Sequence, residues 1–165
     1  MTNVGILIDN TNLNQPAFLA INRINASFKD IGGHKYSLFY KEPGPFCTKL
    51  VATATSLDKI WGFNGDVIST NLDLTMFLLR ANGPKIKILY MFELEWIKGY
   101  GNFLSNSSIY NNKDLIIIAP SASYADALYN YCGRKANAII PQFNIQEIMK
   151  AVENEICPRE PNRPN

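Results

Sequence analysis

Four polar clusters hold the side chains of this sequence that could do chemistry: Asp9-Asn10-Thr11-Asn12, Ser69-Thr70-Asn71, Phe92-Glu93-Leu94-Glu95-Trp96 and Pro120-Ser121-Ala122-Ser123. Each directly follows a short apolar run. Amides, hydroxyls and carboxylates together supply donors and acceptors in the mixture that a hydroxyl-rich ligand requires. Asp9, Asn10, Asn12, Asn71 and Ser121 are therefore candidate ligand-binding residues, and Glu93 is the candidate acid or base. The same residue types also cap helices and close turns, so each position has a purely structural alternative. Glu93 and Glu95 do not form an obvious carboxylate pair. On a strand they point to opposite faces, and at a helix start they diverge by about 200 degrees. Glu93 is thus assigned to the ligand crevice and Glu95 to a helix cap or a surface charge. Trp61, Phe63 and Trp96 could stack on a sugar ring or fill the core.

Several chemistries lack the residues they need. The first turn contains no glycine that would let backbone amides approach a pyrophosphate, Asp9 would repel one, and no GxxxxGK[ST] segment is present. Ser121 and Ser123 have no GxSxG context, and the only histidine, His34, precedes the second strand. One histidine and three dispersed cysteines, Cys47, Cys132 and Cys157, make no zinc set. No metal and no cofactor is expected. The formal charge of +2 is small and scattered, which argues against a nucleic-acid partner. No run approaches the ~20 apolar residues of a membrane span. With no secretory pattern after Met1 and unpaired cysteines, the expected location is the cytoplasm.

The elements that must position these clusters follow from the apolar pattern. At 165 residues and 47% apolar, the chain can bury one core, and a single domain over residues 1–157 is expected. Short β-branched runs alternate with segments of helical period, which predicts an α/β fold: a doubly wound, mainly parallel sheet with helices on both faces. Six strands are expected: Val4 to Asp9, Lys35 to Tyr40, Asp66 to Thr70, Ile86 to Met91, Leu115 to Ala119 and Ala136 to Ile140. Helices are expected over Gln15 to Ile24, Thr48 to Ile60, Asn71 to Ala81, Ser121 to Tyr131 and Ile145 to Glu155, with a short one near Phe103 to Tyr110. Gly32-Gly33, Asn82-Gly83-Pro84, Gly99-Tyr100-Gly101 and Cys132-Gly133 mark breaks, and the proline-rich tail from Pro158 to Asn165 is expected to be disordered. In such a sheet the ligand crevice lies beyond the carboxyl ends of the strands, where the four polar clusters fall.

The order of phrases in the second half resembles the N-terminal, acceptor-side Rossmann-like domain of GT-B glycosyltransferases. The phrases are Gly65-Asp66-Val67-Ile68-Ser69-Thr70-Asn71, then Lys87-Ile88-Leu89-Tyr90-Met91-Phe92-Glu93-Leu94-Glu95-Trp96, the strand ending in Ala119-Pro120-Ser121, and Ile139-Ile140-Pro141-Gln142-Phe143-Asn144. The chain is also similar to small proteins of marine tailed phages. The resemblance implies a saccharide or sugar-nucleotide ligand and an acceptor-binding half. Donor nucleotides are held in that family mainly by a second domain, so a separate donor-domain chain or a homo-oligomer is implied. Two departures qualify it: Asp9-Asn10-Thr11-Asn12 replaces a glycine-rich first turn, and Phe92-Glu93 stands where many relatives carry His-Asp.

Two other functions fit parts of the sequence. One is an interaction or structural module without substrate, signalled by a large exposed apolar patch. The other is a metal-dependent nuclease of the NYN/PIN type, because Ile8-Asp9-Asn10-Thr11-Asn12-Leu13 is similar to that family's opening motif. Such an enzyme needs several carboxylates around a divalent metal, yet Ala119-Pro120-Ser121 stands where an acidic cluster belongs, and Asp114 precedes its strand.

Overall fold

The structure, a computed structural model, describes residues 2–27, 34–98 and 102–156. The Gly32-Gly33 and Gly99-Tyr100-Gly101 breaks, Cys157 and the tail lie outside the described residues. The strands are β1 (Asn3–Asn10), β2 (Lys35–Glu42), β3 (Thr53–Ser56), β4 (Asp66–Ser69), β5 (Lys87–Tyr90), β6 (Leu115–Ala119) and β7 (Ala138–Ile139). The helices are α1 (Gln15–Ser27), α2 (Leu72–Arg80), α3 (Phe103–Tyr110), α4 (Ala122–Cys132) and α5 (Ile145–Ile156). All seven strands join one parallel sheet in the order β3-β2-β1-β4-β5-β6-β7. This is a Rossmann-like α/β architecture, as the alternating pattern predicts, with one more strand than expected. The chain winds outward from β1 through β2 to β3, then returns to build β4 to β7 on the other side of β1. The direction of winding therefore reverses between β1 and β4, which opens a crevice there.

Side-chain alternation along the strands splits the core into two layers. Ile6 and Ile8 of β1, Ile88 and Tyr90 of β5 and Ile118 of β6 pack with Ile21, Ile24, Ile148 and Val152 of α1 and α5. On the other face, Leu7 packs with Val67 and with Leu74 and Leu78 of α2, while Leu89 and Ile117 meet Leu72, Tyr110 and Leu128. Gly5 is small because that second face is crowded. A Cβ there would lie 3.0 Å from Phe39 and 3.1 Å from Phe63, whose rings meet edge to face at 5.1 Å.

The helix expected over Thr48 to Ile60 is not formed. Thr53–Ser56 instead pairs with Ser37 to Tyr40 as the edge strand β3, and a 3-10 helix follows over Leu57–Gly62. Two causes combine. The β-branched Thr53 and Thr55 favour extended over helical backbone, and Asn25 of α1 clamps the preceding segment open. Its amide donates to the Lys49 carbonyl at 2.6 Å and accepts from Val51 N–H at 3.0 Å. The last strand is shorter than expected, because Ala136 and Asn137 precede the two paired residues. Gly133, at φ 74°, ends α4 in the left-handed conformation that glycine adopts without strain, and its N–H bonds the Tyr129 carbonyl.

Candidate functional site

A crevice of about 430 Å³ opens at the carboxyl ends of β1, β4 and β5. Asp9 and Asn10 enter it from β1, Thr70 and Asn71 from the β4-α2 turn, Asp73 from the first turn of α2, and Phe92, Glu93, Glu95 and Lys98 from the segment after β5. Of the candidate residues, Asp9, Asn10, Asn71 and Glu93 are thus brought together. Asn12 is exposed and packs its amide against Gly44, where any side chain would collide with it. Ser121 lines a neighbouring cavity, and its hydroxyl pairs with that of Ser123 at 2.8 Å.

Several polar groups are committed to the fold. Thr70 Oγ1 donates to the Leu7 carbonyl at 2.9 Å, and Thr11 Oγ1 donates to Gly44 O at 2.6 Å. Asn10 Oδ1 accepts from Asn12 N–H at 3.1 Å and from the Asn14 amide at 2.8 Å, while Asn14 Oδ1 caps α1 through Ala17 N–H. Asn71 caps α2 by accepting from Leu74 N–H at 2.8 Å, and its amide donates to Asp9 Oδ2 at 2.5 Å. The cap therefore also orients a carboxylate across the junction of β1 and β4.

Glu93 and Glu95 line the same crevice, which the strand-or-helix alternatives exclude. Phe92 to Leu94 is neither strand nor helix, and the bend turns both carboxylates inward. Their environments differ. Glu93 is exposed at the lip and ion-paired with Lys98. Glu95 is partly buried, and its Oε1 accepts the Leu72 N–H at 2.8 Å, so it does act as a cap, on the first turn of α2. Burial pushes its carboxyl up to about 7, with the nearby charges of Asp73, Glu93 and Asp9 adding and the Leu72 bond opposing. Asp9 is also raised, first by desolvation, against the pull of Lys41 and the Asn71 bond. Four carboxylates and one amine give the crevice an acidic lining. Among the described residues, no group of three or more His, Cys, Asp or Glu side chains is close enough to hold a metal ion.

The aromatic wall of the crevice is Phe92. Its ring sits 4.9 Å from Tyr90 and 5.2 Å from Phe143, and Tyr90 OH locks the cluster by donating to Ile140 O and accepting from Phe143 N–H. The sequence-based aromatic candidates lie elsewhere: Trp96 stacks on Tyr131 at 4.5 Å, Phe63 packs on Phe39, and Trp61 meets Phe77 edge-on. His34 precedes β2, whereas Ser121 follows β6, four strands away and at the other end of the strands. No helix among the described residues is long and apolar enough to cross a membrane. No family model, curated protein or solved structure matches the chain.

Proposed function

We propose that the chain binds a saccharide in the crevice between β1, β4 and β5, as the acceptor-side half of a glycosyltransferase-like pair. The observation that carries this reading is the lining itself: carboxylates and amides on Asp9, Asn10, Asn71, Asp73 and Glu95 converge beside the ring of Phe92. Such groups pair with sugar hydroxyls, and an aromatic ring packs against the apolar face of a pyranose. A cavity of about 430 Å³ is in the size range of small-molecule sites. The acidic lining disfavours phosphates, which suits an acceptor and leaves the donor's nucleotide to a second domain supplied from outside these residues. Closing donor and acceptor together needs that second wall.

Within this reading Glu95 is the better general base and Glu93 the lip residue. A carboxyl at about 7 is matched to taking a proton from a hydroxyl at neutral pH. Its Oε1 accepts from Leu72, so a proton would be taken up at the other oxygen. Glu93, engaged by Lys98, orders the rim.

A metal-dependent nuclease is the rival that the test must separate: a divalent cation would relieve the repulsion that Asp73, Glu93 and Asp9 exert on Glu95, although among the described residues no three of these side chains are close enough to hold one. Calorimetric titration with neutral monosaccharides and, separately, with Mg²⁺ or Mn²⁺ decides between them. Saccharide binding that weakens in Asp9→Asn supports the first reading. Binding of metal alone, lost in the same variant, replaces it with the second.

A further inference from the structure

Across Phe92 from the crevice lies a second cavity of about 490 Å³, at the carboxyl ends of β5 and β6. Its lining includes Gln15, Arg23, Tyr90, Tyr124 and Gln142, with Phe92 shared between the two spaces. The two differ in charge. The crevice gathers four carboxylates, whereas among the described residues Arg23 is the one charged side chain lining the second cavity.

The guanidinium of Arg23 is oriented by neutral acceptors. Its Nε donates to the Gln142 carbonyl at 3.0 Å and one terminal nitrogen donates to Gln142 Oε1 at 3.2 Å. A guanidinium carries five N–H donors, so these bonds fix its plane and leave the rest of the fork available. Among the described residues, no carboxylate pairs with Arg23. A permanently charged fork that lines a cavity with no carboxylate among its described lining residues is suited to a planar or tetrahedral anion.

We propose that this cavity is an anion subsite for the same ligand: the ligand lies along the edge of Phe92, the residue the two cavities share, with its hydroxyls toward Asp9, Asn71 and Glu95 and its carboxylate or phosphate toward Arg23. This rests on the saccharide reading and narrows it to an acidic sugar or a sugar phosphate. The separation by the Phe92 ring is what allows an anionic ligand to use an acidic crevice, because its charge is placed away from the carboxylates.

The test is calorimetric titration of the full chain with glucose, galactose and mannose and with the uronate and 6-phosphate of each, repeated on Arg23→Met and Arg23→Lys. The expected result is a charged sugar binding at least about tenfold more tightly than its neutral parent, the lower end for a charge-assisted pair. Arg23→Met abolishes that preference and leaves neutral binding unchanged. Arg23→Lys, which keeps the charge without the fork, keeps part of the preference and decides the question should Arg23→Met not fold. Whether the uronate or the phosphate gains more identifies the anion. Neutral sugars that bind as tightly as charged ones, or a preference that survives both substitutions, overturn the subsite and leave the saccharide reading standing. Charged sugars whose binding depends on Arg23, with no binding by any neutral sugar and no effect of Asp9→Asn, support an anion site and remove the saccharide crevice. Absence of binding by all nine sugars overturns both.

Discussion

Glu95 Oε1 accepts the backbone N–H of Leu72 at 2.8 Å, so the carboxylate that closes the first turn of α2 is also the most perturbed acid of the crevice. The bond ties the segment after β5 to the helix after β4. It also makes the site's protonation state part of the fold's stability.

That linkage sets a pH dependence. Glu95 is raised from 4.5 to about 7 in the folded chain, so the folded state holds a proton that the unfolded state releases above 4.5. Its contribution is fully present below 4.5 and is lost as pH rises through 7. Glu95→Gln keeps an acceptor for Leu72 N–H and cannot ionise. Between pH 4.5 and 8 it should lose less stability than the native chain, by about 1–2 kcal/mol after discounting for partial exposure. Urea denaturation at several pH values measures the difference, and parallel profiles for the two chains would refute it.

Asn71→Ala removes two bonds at once, the cap on Leu74 N–H and the contact with Asp9 Oδ2. A cost of about 1 kcal/mol is expected from the cap. The Asp9 carboxyl should rise further, because that bond is one of the interactions holding it down. Denaturation gives the first quantity and carboxyl NMR titration the second.

Tyr90→Phe leaves Phe143 N–H and Ile140 O buried without their shared hydroxyl. A loss of about 1–3 kcal/mol is expected. Because Phe92 packs on both rings, the substitution should also weaken ligand binding through a looser wall, which calorimetry on the refolded variant would detect.

Gly5→Ala tests the packing of the second face. The added methyl meets Phe39, Phe63 and Val67 at 3.0 to 3.2 Å, so a destabilisation of about 1–3 kcal/mol is expected from overpacking, without effect on the crevice. A neutral result would show that the Phe39 and Phe63 rings yield freely.

The sheet was legible where strands are buried on both faces. Val4 to Ile8, Leu115 to Ala119 and their neighbours are continuous apolar runs, and only a covered parallel sheet accommodates several of them in alternation with helices. The edge strand β3 carries no such signal, because Thr53-Ala54-Thr55-Ser56 is half-buried and its partner strand supplies the order. Of the residues that line the crevice, Asp9 and Asn71 could be picked out from the sequence because they stand at or just beyond strand ends. Glu95 escaped because its direction depends on a bend that has no sequence period, and its partner Leu72 lies on another element. The Arg23 cavity escaped for a similar reason: the residue sits mid-helix, and Gln142 is 119 positions away. A signal for Phe92 was available, since it stands two residues beyond a strand that ends at the crevice.

The central claim is that the junction of β1, β4 and β5 binds a saccharide, and amide NMR of the full chain during monosaccharide titration tests it most directly. Saturable shifts confined to Asp9, Asn10, Asn71, Leu72 and Glu95, with the Leu72 amide responding through its bond to Glu95, are the predicted result. Saturable shifts elsewhere on the molecule, or a crevice that responds to Mg²⁺ and to none of the sugars, would contradict it.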